Sequence, residues 1–396
     1  MKNKQVKSAM LCMLISMSSI SAYAAGSKDT GLLIEAGAGI GYSSNVYHSP
    51  AAPYVDLAAP GSPTVTPIVQ SGMFIPMNVV ADYKTRSGFD MGYKFGGDYF
   101  LGKTVSNANT YDHDVTLGKL SKFGRAASKS SFYVGVFAGV HRKLYVERDT
   151  GEEKVTRVGN NISNRYNYKD TGFEAEFKTT LSGMKFVVNA SLATLTYDTP
   201  VGISSLTHSL NKFGGSVSIP VIGKTVKVKL GYDYKSRDYD FRHSRGLDAR
   251  LLRSNPLLSY TYQTLSGQLS WKANRNLTLM VDGEQLARTD KFAGYNDYTR
   301  NKVKLRARYK FSNDAFVRAK LSYSKTDYAN AFAFENTLAA KKTSNTALAS
   351  LKAAHHLSSL GEPTLWVKLD YKKVTANDLR YDYKLTEAAL GGDWTF

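Results

Sequence analysis

Along most of this chain hydrophobic and polar residues alternate one by one. Between 89 and 101, Phe89, Met91, Tyr93, Phe95, Tyr99 and Leu101 share one parity, and Asp90, Lys94 and Asp98 share the other with Gly92 and Gly96. Val226, Val228, Leu230, Tyr232 and Tyr234 alternate with Lys227, Lys229, Gly231, Asp233 and Lys235 in the same way. Val303, Leu305, Ala307, Tyr309 and Phe311 alternate with Lys302, Lys304, Arg306, Arg308 and Lys310. Successive side chains of a strand point to opposite faces, so each segment reads as a strand with one apolar and one polar surface. The patterns outlast the ~5–6 residues of an ordinary soluble strand. They suit the ~9–11 residues with which a tilted strand crosses a bilayer. The predicted strands are 31–42, 73–84, 89–101, 110–121, 131–145, 165–181, 184–198, 206–220, 224–238, 257–272, 276–288, 297–311, 315–328, 343–357, 363–376 and 380–396.

The connections divide into two kinds. Those at 85–88, 182–183, 221–223, 273–275 and 312–314 are short; those at 43–72, 146–164, 239–256 and 329–342 are long. Membrane barrels have short periplasmic turns and long external loops. Sixteen is an even number, as single-chain bacterial barrels have, and it places both termini in the periplasm. No segment after the first residues carries the apolar run of a membrane helix, so a spanning chain must close into a barrel. The fold class is therefore all-β, a transmembrane antiparallel β-barrel of sixteen strands, without a separate plug or periplasmic domain.

Composition adds to this picture. Aromatic residues make up 12% of the 396 residues, and 26 of them are tyrosines, a residue suited to membrane interfaces and polar-lined pores. Lys2, Lys4 and Lys7, the apolar stretch 9–20 and Ala22-Tyr23-Ala24 read as a secretory leader cleaved after Ala24. The domain division is a signal peptide at 1–24 and a barrel at 25–396. The sole cysteine, Cys12, falls within the leader, so the exported chain has neither a disulfide framework nor a thiolate metal site. Leu390, Trp394 and Phe396 share the lipid face of the last strand. A final phenylalanine there resembles the recognition signal of the bacterial barrel-assembly machinery. Trp271, Phe311, Trp394 and Phe396 lie near periplasmic strand ends, as an aromatic girdle does.

The net charge of +19 is concentrated on the inward parity of the later strands. Arg300, Lys302, Lys304, Arg306, Arg308 and Lys310 face inward on one strand, and Arg318 and Lys320 on the next. Folding about Asn313 sets Arg308 beside Arg318 and Arg306 beside Lys320, and the following strand brings up Lys352. Like charges across strands destabilise a sheet, so the cluster calls for water, anions or acids. Asp282 and Glu284 offset Arg300 and Lys302; no acid is expected near the periplasmic half. The other inward acids, Glu35, Asp90, Asp98, Glu174, Glu176 and Asp393, read as dispersed. Such a wall concentrates anions; the bland alternative is a solvated, internally paired lumen. Loop 43–72 holds Pro50, Pro53, Pro60, Pro63 and Pro67. It reads either as an inward constriction or partner contact, or as an ordinary semi-extended surface loop. Arg242, Arg245, Arg250 and Arg253 make loop 239–256 either a solvated basic loop or a contact for lipopolysaccharide phosphates.

Gly41-Tyr42-Ser43-Ser44-Asn45-Val46-Tyr47-His48-Ser49-Pro50 resembles the Tyr-Asp-Ser-Asn-x-[Tyr/Phe] signature on the first strand of a broad outer-membrane barrel family. Several members of that family are encoded with exopolysaccharide synthesis and export systems. Tyr111-Asp112-His113-Asp114 resembles its Tyr-Asp-Asp-His segment. Ser43 stands where aspartate is usual, and the second segment lacks one aspartate. The resemblance implies a porin-like barrel with a polysaccharide-export or related envelope role.

None of His48, His113, His141, His208, His243, His355 and His356 sits in a recognised metal or Ser-His spacing. Neither an enzyme, a cofactor nor a metal is expected. An exported chain whose basic residues alternate along strands is not a nucleic-acid binder. The expected function is a passive, anion-preferring channel for solutes or an acidic polysaccharide. The alternative is a loop-filled structural or surface-interaction barrel, such as a scaffold, adhesin or phage receptor. The expected partners are outer-membrane lipid, lipopolysaccharide, the barrel-assembly machinery and an anionic solute or polysaccharide, in the outer membrane of a Gram-negative cell.

Overall fold

The computed structural model describes residues 30–124, 129–156, 158–223, 225–357 and 363–396. The expected leader and its cleavage site after Ala24 lie outside them. In chain order the strands are β1 (Gly31–Ser43), β2 (Tyr54–Val55), β3 (Thr64–Val65), β4 (Gly72–Lys84), β5 (Phe89–Leu101), β6 (Thr110–Phe123), β7 (Ser130–Lys143), β8 (Tyr168–Leu181), β9 (Met184–Tyr197), β10 (His208–Ile222), β11 (Val226–His243), β12 (Leu257–Lys272), β13 (Leu277–Asp290), β14 (Tyr298–Lys310), β15 (Ala315–Phe332), β16 (Lys341–His356), β17 (Thr364–Ala376) and β18 (Tyr383–Thr395). β1 and β4–β18 form one closed barrel of sixteen strands. β1 pairs antiparallel with β4 on one side and with β18 on the other. β2 and β3 make a small hairpin inside the first long connection.

The length of the strands follows from the bilayer. The 13 residues of β1, rising ~3.3 Å each and tilted ~40°, span roughly 33 Å, close to the ~30 Å of a hydrocarbon core. Closure turns the alternation into two surfaces. Leu230, Leu265, Val303, Leu305, Leu321, Val367 and Leu390 are exposed on the outside, where lipid covers them. Charged and hydroxylated residues of the other parity line the lumen. At the β1–β18 seam the backbone is bare: Gly39 pairs with Gly391, and the Trp366 indole lies over both. A Cβ on Gly391 would come within 2.6 Å of that ring and one on Gly39 within 3.1 Å, so the two glycines make room for a large aromatic on the inner wall.

Several strands are longer than their alternation predicts. β11 runs on to His243 and β15 to Phe332. Their register partners skip near Asp238 and Asp327, where the strands rise past the rim and their ladders are interrupted. β18 begins at Tyr383 rather than at 380, because Leu379–Tyr381 form a tight turn before it.

The long connections fold over one end of the barrel and hold one another there. The connection at 44–71 is the keystone. The Tyr54 ring, 5% exposed, packs 6.1 Å from the Phe334 ring, while its hydroxyl donates to the Asp149 carboxylate at 3.1 Å. Phe334 belongs to the β15–β16 connection and Asp149 to the β7–β8 connection. These two stand eight strands apart in a ring of sixteen, on opposite sides of the same rim, so Tyr54 spans the mouth. Further bonds secure both sides: Asn336 Nδ2 donates to Leu57 O at 2.9 Å, and Ile68 N donates to Asp149 O at 2.7 Å. Ala51 N donates to Asp382 O at 2.9 Å. Arg245 joins Glu335 at 2.9 Å, and Tyr295 is buried against Ala249 and Ala331.

Phe334 and Glu335 both take left-handed backbone, at φ 57° and 56°, which is strained for residues with a side chain. Asp378 holds that segment. Its carboxylate, fully buried, accepts from Phe334 N at 3.1 Å, from Arg380 Nε and Nη2 at 2.9 and 3.0 Å, and from Lys342 Nζ at 3.2 Å. Burial alone would raise the Asp378 pKa. The Arg380 hydrogen bonds and the charges of Lys342 and Arg380 outweigh it and hold the group below its usual range.

Two outcomes follow for the barrel folded in detergent. Asp378→Ala leaves Arg380 and Lys342 without their buried partner, a loss worth up to about 3–5 kcal/mol. Protease cleavage within 333–340 should then accelerate by about tenfold or more; unchanged cleavage contradicts the role given to Asp378. The second outcome concerns His48, stacked 4.7 Å from Tyr383. Burial, then the charges of Lys372, Arg148 and Lys143, lower its pKa to about 4. A released loop takes up a proton below about 6.5 that the packed loop takes up only near 4. The packing of 44–71 therefore weakens as the pH falls through that window. Cleavage of this connection, normalised to an unfolded substrate, should be faster at pH 5 than at pH 7, and His48→Phe should remove the difference. A wild-type loop indifferent to pH would refute this reading.

Candidate functional site

The lumen is the candidate site. Strand register places its basic residues as follows. Arg308 lies opposite Arg318 and Arg306 opposite Lys320. Arg318 in turn lies opposite Lys352. Lys302 and Lys304 face Ser324 and Ser322, and Lys310 faces Phe316. Arg300, Lys302, Lys304, Arg306, Arg308, Lys310, Arg318, Lys320 and Lys352 thus share the inner surface of β14–β16.

Acids reach further into this wall than the sequence suggests. Glu284 binds Arg300 at 2.8 Å as expected, but Asp282 passes over its register partner Lys304 and grips Arg306 with two bonds of 2.7 and 3.0 Å. Asp393, arriving from β18, stands 3.8 Å from Lys352. Folding only consecutive strands about their turns misses a partner two strands away. Among the described residues no ion pair includes Lys302, Lys304, Arg308, Lys310, Arg318 or Lys320. The Arg308 and Arg318 guanidiniums both approach one aromatic neighbour, 4.7 and 4.5 Å from the Phe316 ring centroid, a favourable contact that lets two cations sit close. A polar cavity of about 690 Å³ adjoins Arg308 and Lys310, lined also by Lys272, Arg275 and Asn276.

The inner acids are only partly dispersed: Glu35, Asp98 and Asp393 stand apart on β1, the loop end of β5 and β18, while others gather. Asp90, Asp112, Asp114, Asp170, Glu174 and Glu176 gather on β5–β8, with Asp112 facing His141 and Glu174 facing Gly135 in register. β6–β8 stand eight strands from β14–β16 in the closed ring, so the acidic wall is opposite the basic one. A charged solute between them meets a transverse field rather than a uniformly positive tube.

Near the loop end a belt of rings follows the inner wall, which sequence reasoning missed because each ring comes from a different strand. It runs from His141 to Tyr168 at 4.3 Å, Tyr197 at 4.9 Å, His208 at 5.6 Å, Tyr239 at 4.9 Å and Tyr260 at 6.2 Å. Arg288 continues it, 4.6 Å from the Tyr260 centroid and 4.3 Å from that of Tyr298.

The remaining singled-out residues lie apart from the lumen. Trp394 pairs with Ala36 across the seam, and Phe396 exchanges backbone bonds of 2.8 and 3.1 Å with Ile34. In the first motif Asn45 ties Ser49 and Lys384 together through its amide, seating the base of the first connection on β18. Of the basic loop residues, Arg245 is bound to Glu335 and Arg250 lies 3.5 Å from Asp248, so these charges are partly engaged within the loops.

Residues 221–396, which include β11–β18, match a family model described as surface lipoprotein assembly modifier. No curated protein matches the chain. Among solved structures the barrel is similar to the outer-membrane channel DcaP of Acinetobacter baumannii, at 10% identity and a TM-score of 0.45, covering 94% of this chain and 100% of that one. It is similar to OccAB1 of the same organism, at 10% identity and a TM-score of 0.46, covering 94% and 99%. A bacterial polysaccharide outer membrane secretin is similar at 9% identity and a TM-score of 0.45, covering 94% and 99%. Similarity at this level carries no functional information. The protein is an outer-membrane β-barrel of Gram-negative type, whose residues 221–396 match the surface lipoprotein assembly modifier model.

Proposed function

We propose that this barrel serves in the assembly of surface lipoproteins, with the charge-divided lumen as the surface that engages the assembling chain. One observation carries the reading: the segment matched by the surface lipoprotein assembly modifier model, 221–396, is the same segment that supplies all nine residues of the basic wall. The leader at 1–24, with cleavage after Ala24, delivers the chain to the periplasm in this proposal. Trp394 and Phe396 present aromatic bulk on the closing strand to the barrel-assembly machinery. The wall acts by electrostatics, so no catalytic step is assigned to it.

A second reading is favoured by the six wall cations that lack an ion-pair partner among the described residues. Facing water, they would make the barrel a passive anion-preferring channel for small solutes or an acidic polysaccharide.

The two readings separate in one set of strains. Deleting the gene in its host should lower the fraction of lipoprotein that protease shaves from intact cells, at unchanged total lipoprotein. Arg308→Glu, Arg318→Glu and Lys320→Glu together should have the same direction of effect while the barrel keeps its heat-modifiable mobility. Full surface display in the deletion strain would rule out the assembly reading. For the channel reading, the purified barrel in a planar bilayer should prefer anions, more weakly as rising salt shortens the screening length below ~8–10 Å. The same triple variant should shift the reversal potential toward cations. A barrel that inserts and carries no current rules out the channel.

A further inference from the structure

The acidic wall holds an arrangement that charge opposition does not require. Asp114 on β6, His141 on β7 and Asp170 on β8 bring three donor atoms within 4.8 Å of one another. His141 Nε2 lies 3.0 Å from Asp170 Oδ1 and 3.6 Å from Asp114 Oδ1. Two ligands each ~2.0–2.2 Å from a tetrahedral cation are separated by roughly 3.3–3.6 Å, so the spacing fits a common centre with little movement. We infer that Asp114, His141 and Asp170 form a site for a divalent first-row cation of the Zn²⁺ or Mn²⁺ type on the inner wall of the barrel.

Three further features suit a cation. Register places Gly139 between the two aspartates, opposite Asp114 on β6 and Asp170 on β8. A Cβ at 139 would lie 2.3 Å from Asp170 Oδ1, 2.7 Å from His141 Nε2 and 2.8 Å from Asp114 Oδ1. The three donors converge on the spot that any other residue would fill. Next, Asp112 Oδ1 stands 2.8 Å from His141 Nδ1. A carboxylate on one ring nitrogen fixes the tautomer and turns the other nitrogen's lone pair toward a metal. Finally, the Tyr168 ring stacks on the imidazole at 4.3 Å and 19°, which sets the plane of the ligand.

The donor set also selects the ion. Ionised carboxylates only accept hydrogen bonds, and three of them surround a single imidazole, so negative charge is in surplus even with a doubly protonated ring. One imidazole and two carboxylates without a thiolate suit Zn²⁺ or Mn²⁺ over soft ions. Three protein ligands leave a coordination position for water. The competing arrangement is an imidazolium held between carboxylates with no metal.

The test uses the whole barrel folded in detergent, with heat-modifiable mobility confirming the fold of every variant. Titration with Zn²⁺ alone, and with Mn²⁺ alone, should show one ion per barrel for at least one of the two metals. Co²⁺ should give a visible absorption band that the other metal displaces. Asp114→Asn with Asp170→Asn should abolish binding. Asp112→Asn should weaken it by about 10–100-fold, as loss of an orienting carboxylate does. Gly139→Ala keeps every ligand and should weaken binding by at least a similar factor. The proposal is overturned if the wild-type barrel binds neither metal, which leaves the imidazolium arrangement. It is also overturned if the double asparagine variant or Gly139→Ala binds as tightly as wild type.

Discussion

Everything here depends on the backbone having no water to bond in lipid. An unpaired amide or carbonyl in the hydrocarbon costs several kcal/mol, so β1 must find β18 and no edge can be left. Pairing from Glu35–Thr395 to Ser43–Glu387 accomplishes this. Closure then fixes parity: once one face of each strand meets lipid, the other parity must meet the lumen. A one-residue slip would put Arg306, Arg308 and Arg318 in the hydrocarbon. The charged wall is therefore a consequence of the same register that closes the sheet.

Within the ring, position matters as much as parity. Sixteen strands place β6–β8 across from β14–β16, so acids and bases separated widely in sequence become opposing walls. The first connection exploits the same geometry above them. Tyr54 reaches Phe334 on one side of the rim and Asp149 on the other, and the Asp378 ion pairs hold the strained Phe334 segment that receives it. The lumen is thus polar, divided along its walls and bridged at its mouth.

The strands were legible because each carries its own parity signal, as at Phe89–Leu101. So was the pairing of Arg308 with Arg318, since a hairpin can be folded on paper about its turn. What was not legible came from contacts beyond one hairpin. Asp393 beside Lys352 crosses two strands, and Tyr54 crosses half the ring. The cluster of Asp112, Asp114, His141 and Asp170 needed only the hairpin arithmetic already applied to the basic wall. Pairing 112 with 141 and 139 with 170 would have revealed it, but no short motif marks it because its members lie on three strands. The ends of β11 and β15 were misjudged for a related reason: alternation marks where a strand is wetted on one side, not where it leaves the membrane.

The first connection joins opposite sides of the rim over this lumen. Cysteines at 54 and 334, in a chain whose only natural cysteine is Cys12, can be joined by a short bifunctional maleimide and read as a loop-size shift on a gel. The geometry predicts efficient cross-linking in the folded barrel, with none between 54 and a cysteine placed at Asn313 on the opposite end. A folded barrel in which the 54–334 pair stays uncoupled would contradict the account.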